Sequence, residues 1–161
     1  GSIYGRFGFS DVLTAFLALD TFVELYDGGT IRLSEFVNRK PDKDILLSVI
    51  VRKSKRKFRY ESIRQTKTDF PVIACSVVTG MVHGKETWYF SVGARPMKAA
   101  LLEKQWEIPS DASEETIAEY ARQAASEFTY GTNMRGSAEY RRHLAEVLIR
   151  REMSSILAEG R

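Results

Sequence analysis

The apolar positions of this chain change period along its length, and each change marks an element. Leu13, Phe16, Leu17 and Ala18 recur at helical spacing, which predicts a helix over Val12–Leu19 capped by Ser10 or Asp11. Thr21 to Tyr26 alternates, Asp27-Gly28-Gly29 has hairpin chemistry, and Thr30 to Leu33 returns. Ser34 to Val37 reads as one helical turn, and Asp44 to Arg52 as an apolar strand. These elements form a small helix-plus-hairpin unit.

The second part predicts an antiparallel sheet followed by helices. Lys57 to Gln65 alternates with polar side chains on both faces, so one face is expected to meet a ligand or partner. Val72 to Met81 is apolar on both faces, as in a covered central strand. His83-Gly84-Lys85 reads as a turn, and Thr87 to Val92 pairs back. Met97 to Gln105 is read as a short helix, giving three strands in all. A helix over Ser113–Phe128 follows, with Glu114 and Glu115 in its first turn. The last helix runs over Ala138–Ala158 and starts at a Ser137 cap. Its stripe of Tyr140, Leu144, Val147 and Leu148 gives way to Ile149, Met153, Ile156 and Leu157 on nearly the opposite side. That shift predicts a second neighbour, expected to be another subunit.

Composition narrows the chemistry. With 43% apolar and 28% charged residues among 161, the chain is globular and holds one core, or one small domain plus part of another. No apolar run approaches a membrane span of about 20 residues, and no signal peptide is recognisable. The single Cys75 fits a reducing cytoplasm, and one cysteine with two unpaired histidines argues against a metal site. Arg52 to Arg59 holds six cations in eight residues. With no stacking platform or basic helix beside it, it reads as a linker rather than a nucleic-acid contact. No P-loop or complete GxGxxG occurs, and no catalytic grouping meets a template. The residues alone therefore reach an α+β interaction or cofactor-supporting domain.

One string carries more. Arg135-Gly136-Ser137-Ala138-Glu139-Tyr140-Arg141-Arg142-His143-Leu144-Ala145 resembles the closing signature of the flavin-binding subunit of molybdenum hydroxylases, the xanthine dehydrogenase and carbon monoxide dehydrogenase type. Leu17-Ala18-Leu19-Asp20 with Val23-Glu24-Leu25, and Asp44-Ile45-Leu46-Leu47-Ser48-Val49, are similar to family segments in the same order. Gly1-Ser2-Ile3 resembles the tail of the family's second flavin loop.

The resemblance implies residues 1–53 as the end of a vanillyl-alcohol-oxidase-like FAD domain. It implies residues 54–161 as a small domain of three antiparallel strands with about three helices. It also implies FAD contacts at Gly1, Ser10, Asp11 and Leu46, with no residue needed as an acid–base catalyst. Glycine lets backbone amides approach a pyrophosphate, and Asp11 can accept from a ribityl or ribose hydroxyl. A plain helix cap is an equally good account of Asp11. A family lysine near the flavin is replaced by Glu61, and Arg6-Phe7-Gly8-Phe9 departs from the usual Ala-Ser-Pro-rich loop. The implied partners are the N-terminal half of the FAD domain, an iron–sulfur subunit, a molybdenum-cofactor subunit and NAD, with no nucleic acid or membrane. The alternative is a subunit-assembly module without bound flavin.

Overall fold

The computed structural model describes residues 1–159. Positions 160 and 161, the end of the expected second part, lie outside the described residues. In chain order the elements are α1 (Asp11–Ala18), β1 (Thr21–Leu25), β2 (Gly29–Arg32), α2 (Leu33–Asn38), β3 (Leu46–Val51), β4 (Lys57–Ile63), β5 (Ile73–Val82), β6 (Lys85–Gly93), β7 (Ala100–Lys104), α3 (Glu114–Ser126) and α4 (Ala138–Ala158). They make two antiparallel sheets, ordered β2-β1-β3 and β4-β5-β6-β7. The fold is α+β, as the sequence implies, but the second sheet has four strands rather than three.

The extra strand is the segment read as a helix at Met97–Gln105. Leu101 packs on the smaller of two apolar cores, with Leu13 and Leu17, while Ala100 and Leu102 pack on the larger one, with Trp88 and Phe90. Apolar side chains on both faces remove the alternation that would mark a strand. Trp88↔Lys104 through Val92↔Ala100 pair it to β6. The turn at His83-Gly84 is as expected, with both residues at positive φ (50° and 78°), the conformation of a tight two-residue hairpin.

The four-stranded sheet is covered on both sides. Cys75, Val77, Trp88, Phe90 and Val92 join Ile117, Ala121 and Ala124 of α3 and Leu148, Ile149 and Met153 of α4 in the larger core. Burying these apolar surfaces supplies most of the favourable free energy of the fold. Both stripes of α4 are buried within this chain, Leu144 and Leu148 as well as Ile149, Met153, Ile156 and Leu157. The second neighbour is therefore the chain's own α3 or β4–β5 surface, not another subunit. Tyr140 is 48% exposed and does not fasten the helix.

On the opposite face α1 lies against β5, β6 and β7. The approach is close because β6 ends in Gly93, where an added Cβ would collide with Thr14 of α1. Gly8 is equally constrained: its Cβ would stand 2.5 Å from the Met97 carbonyl oxygen. A second, smaller core of Leu13, Leu17, Val23, Leu25, Leu33 and Phe36 then joins α1 to the three-stranded sheet. Thus α1 belongs to both halves.

The basic segment is a linker with structural duties. Arg52 stands 4.2 Å from the Phe22 ring centroid, and Arg56 stands 4.9 Å from that of Tyr89. Lys57 Nζ donates to the Ile156 carbonyl at 3.1 Å. Arg59 bonds Ser155 Oγ at 2.8 Å and pairs with Glu159.

Candidate functional site

The residues expected to face a flavin gather at the N-terminus of α1. Residues 1–7 form a compact turn, closed by Gly5 N to the Gly1 carbonyl at 2.9 Å and Phe7 N to the Ser2 carbonyl at 3.2 Å. Ser10 is the N-cap: its Oγ accepts from Leu13 N at 3.1 Å and donates to Ser2 Oγ at 2.8 Å. The cap thereby ties the glycine turn to the helix. Ser10 is buried and its hydroxyl is committed to these bonds. Tyr4 extends the network, donating to the Asp42 and Asp44 carbonyls at 3.0 and 2.6 Å. That brings the turn beside the start of β3, where Leu46 packs on the smaller core.

Asp11 does something the sequence did not suggest. It is the first helical residue, not the cap, and its charge suits the positive end of the helix. Tyr60 Oη donates to its Oδ1 at 2.5 Å, and Arg64 forms an ion pair to its Oδ2 at 2.5 Å. Both partners lie on or just after β4, so Asp11 is a charged seam between α1 and the four-stranded sheet. Burial, and then the Asp11 carboxylate, push the Tyr60 phenol up from its ordinary value. The hydrogen bond to Asp11 raises Arg64 further, so both remain protonated donors. An ionised carboxylate has about four acceptor sites, and two are used here. The Asp11 side chain is 41% exposed.

The strand's two faces are now distinct. Tyr60 and Arg64 point to α1, whereas Lys57 and Arg59 bond α4 residues. Glu61 alternates with the first pair and influences buried Glu152 of α4. Position 61 therefore lies on the side away from α1, and Tyr60 and Arg64 are the polar residues beside the candidate site. Alternation along β4 carried this signal, but only the packing of α1 tells which face it concerns.

Of the four residues expected at the flavin, Gly1, Ser10 and Asp11 share this corner, and Leu46 is linked to it through the smaller core. Gly1 is exposed, with open space where a Cβ would stand. Beside the corner lies an aromatic cluster. Phe7 and Phe9 stack at 5.3 Å between centroids and Phe9 meets Phe70 at 4.1 Å, with all three at least 40% exposed. Among the described residues no cluster of His, Cys, Asp or Glu could hold a metal, and no helix is long and apolar enough to cross a membrane.

The architecture has known counterparts. Quinoline 2-oxidoreductase from Pseudomonas putida 86 superposes with a TM-score of 0.78 at 15% identity, over 99% of this chain and 60% of that one. Carbon monoxide dehydrogenase from Hydrogenophaga pseudoflava, lacking the Mo-pyranopterin moiety, gives 0.77 at 16% identity, over 98% and 60%. Reconstituted CO dehydrogenase from Oligotropha carboxidovorans gives 0.73 at 18% identity, over the same shares. The chain thus spans about 60% of the length of these relatives. At such identities the likeness establishes the fold. No curated protein matches in sequence. The family model of the CO dehydrogenase flavoprotein C-terminal domain, however, matches residues 58–156, from β4 through α4. That match covers more than half of the chain, which therefore belongs to the CO dehydrogenase flavoprotein C-terminal domain family.

Proposed function

We propose that this chain is the C-terminal part of the FAD-binding subunit of a xanthine-dehydrogenase-like molybdenum hydroxylase in the cytoplasm. Residues 1–53 complete the FAD domain and 54–161 form the family's C-terminal domain. FAD, when bound, relays electrons from iron–sulfur clusters on one partner chain to NAD or another acceptor, with a molybdenum cofactor on another chain. The residues here bind and orient. Gly1 offers open backbone to a pyrophosphate, and Asp11 keeps acceptor sites for a ribityl or ribose hydroxyl while Tyr60 and Arg64 hold its position. Ser10 acts through the cap and the Ser2 bond rather than by direct contact, its hydroxyl being committed. Leu46 contributes an apolar wall from β3.

The observation that carries this reading is the half-exposed carboxylate of Asp11, fixed at a helix N-terminus beside the glycine turn in a chain of this family. Exposed apolar side chains on and beside β3 (Ile45 60%, Leu47 54%, Ile50 41%) fit a surface that the N-terminal half of the FAD domain covers. The test is the flavin content of the whole subunit compared with this chain alone. One FAD per intact subunit, and no micromolar binding by the isolated chain, is the expected pair of results. An intact subunit that co-purifies with its iron–sulfur partner but holds no flavin would replace this reading with an assembly module.

A further inference from the structure

Two arginines are buried among the described residues, and they are treated differently. Arg95, 8% exposed, spends its guanidinium on carbonyls: Nε and Nη2 donate to Lys98 O at 3.3 and 3.0 Å, and Nη1 to Thr129 O at 2.6 Å. Arg141, in the family signature on α4, has no exposed surface at all. Its Nη2 donates to Asn133 Oδ1 at 2.5 Å, its Nη1 reaches the Ala94 carbonyl only at 3.5 Å, and its Nε has no partner. A guanidinium stays protonated in proteins, so a full positive charge is buried there. Among the described residues no carboxylate pairs with it. A buried, unpaired charge is expensive unless something supplies the opposite sign.

A second cation shares the place. Arg135 pairs with Asp69 through Nη2 at 3.1 Å and lies 5.4 Å from the Phe70 ring centroid, while its own Nε is buried without a partner. Both arginines line one recess of about 110 Å³, walled by Phe70, Gly8, Asn133 and Ala94. Ala94 is held at φ 56°, its N–H on the Gly8 carbonyl at 2.6 Å and its own carbonyl toward Arg141. That strained conformation fixes the wall on the side of the glycine loop. Burial, and then the charge of Arg135, depress the Arg141 ionisation.

We propose that this recess is an anion site, holding one small oxyanion, a phosphate-like or carboxylate group, between the Arg141 and Arg135 guanidiniums. The uncompensated charge of Arg141, with the Arg135 guanidinium beside it, matches an oxyanion, and charge-assisted bonds of this kind are the strong ones. The volume admits a small oxyanion and not a nucleotide. The site needs neither flavin nor a partner subunit.

The test is thermal unfolding of the chain at constant ionic strength in chloride, inorganic phosphate, sulfate and acetate. A ligand that binds only the folded state raises Tm in a saturable way. The wild-type chain is expected to show such a rise with phosphate, sulfate or acetate over chloride. A response confined to phosphate and sulfate marks a tetrahedral ligand, and one confined to acetate marks a carboxylate. Arg135→Gln should weaken the apparent affinity at least about tenfold, while Arg142→Gln, at the exposed neighbouring position, leaves it unchanged. Arg141→Lys, if it folds, should behave like Arg135→Gln; should it not fold, the Arg135→Gln comparison decides. No oxyanion-specific rise, or the wild-type dependence retained in Arg135→Gln, overturns the proposal.

Discussion

The two faces of the four-stranded sheet are built on different principles. One is covered by α3 and α4 through large apolar side chains, with Trp88, Phe90, Leu148, Ile149 and Met153 all fully buried. The other is covered by α1 through small residues and polar seams: Thr14 on Gly93, Ser10 at the cap, and Asp11 on Tyr60 and Arg64. The apolar face gains its stability from buried area. On the α1 face the polar contacts and the close approach at Gly93 specify where the helix sits. Stability is concentrated on one side of the sheet and placement on the other, where the candidate flavin corner lies.

The largest effect should come from the apolar face. Phe90→Ala is expected to cost roughly 3–5 kcal/mol, read as a lowered denaturant midpoint, because it empties the centre of the larger core. An intermediate cost is expected at Gly93→Ala, on the order of 1–3 kcal/mol, since the added Cβ forces α1 off the sheet. Combining it with Thr14→Ala should recover part of that loss; strictly additive costs in the double-mutant cycle would mean that the two residues do not meet.

Glu152 gives the comparison a pH axis. It is a buried carboxylate on α4, and burial, then the charge of Glu61, raises its ionisation well above the ordinary value, while the backbone N–H of Glu61 and then the charge of Arg59 pull the other way. A group whose folded value is raised contributes fully below its unfolded value, and that stability is lost as pH rises toward the folded one. Glu152→Gln should therefore match the wild type at about pH 4 and exceed its Tm at about pH 8. A gap that stays constant across that range would place the carboxylate in water. The smallest stability change is expected for Asp11→Asn, about 0.5–1 kcal/mol, because the pair with Arg64 is partly exposed and screened.

How much of this was legible in the sequence follows from the same division. The bounds of α4 were readable because Ser137 caps it, accepting from Tyr140 N at 3.1 Å, with Glu139 following in the first turn. The strands β5 and β6 declared themselves by length and β-branched or aromatic content. The strand β7 did not, since Ala100-Leu101-Leu102 is half-buried against a core on each face and so short that helix and strand spacing coincide. The covering of both α4 stripes was missed because a one-dimensional pattern shows that a surface is apolar but not what lies against it. The Asp11 seam joins residues 49 and 53 positions apart, Tyr60 and Arg64, and nothing local signals such a pair. Arg141 was legible only as part of a family signature; that its charge is buried follows from packing.

In the proposed function the α1 face places Asp11 for a flavin as well as for β4. The most direct measurement is FAD affinity of the intact subunit, by flavin fluorescence titration, for wild type and Asp11→Asn with the fold verified by circular dichroism. A loss of at least about tenfold is expected, equivalent to roughly 1.4 kcal/mol and larger than the effect on stability. An Asp11→Asn subunit that binds FAD as tightly as wild type would contradict it and leave Asp11 as a fastening between two halves of the fold.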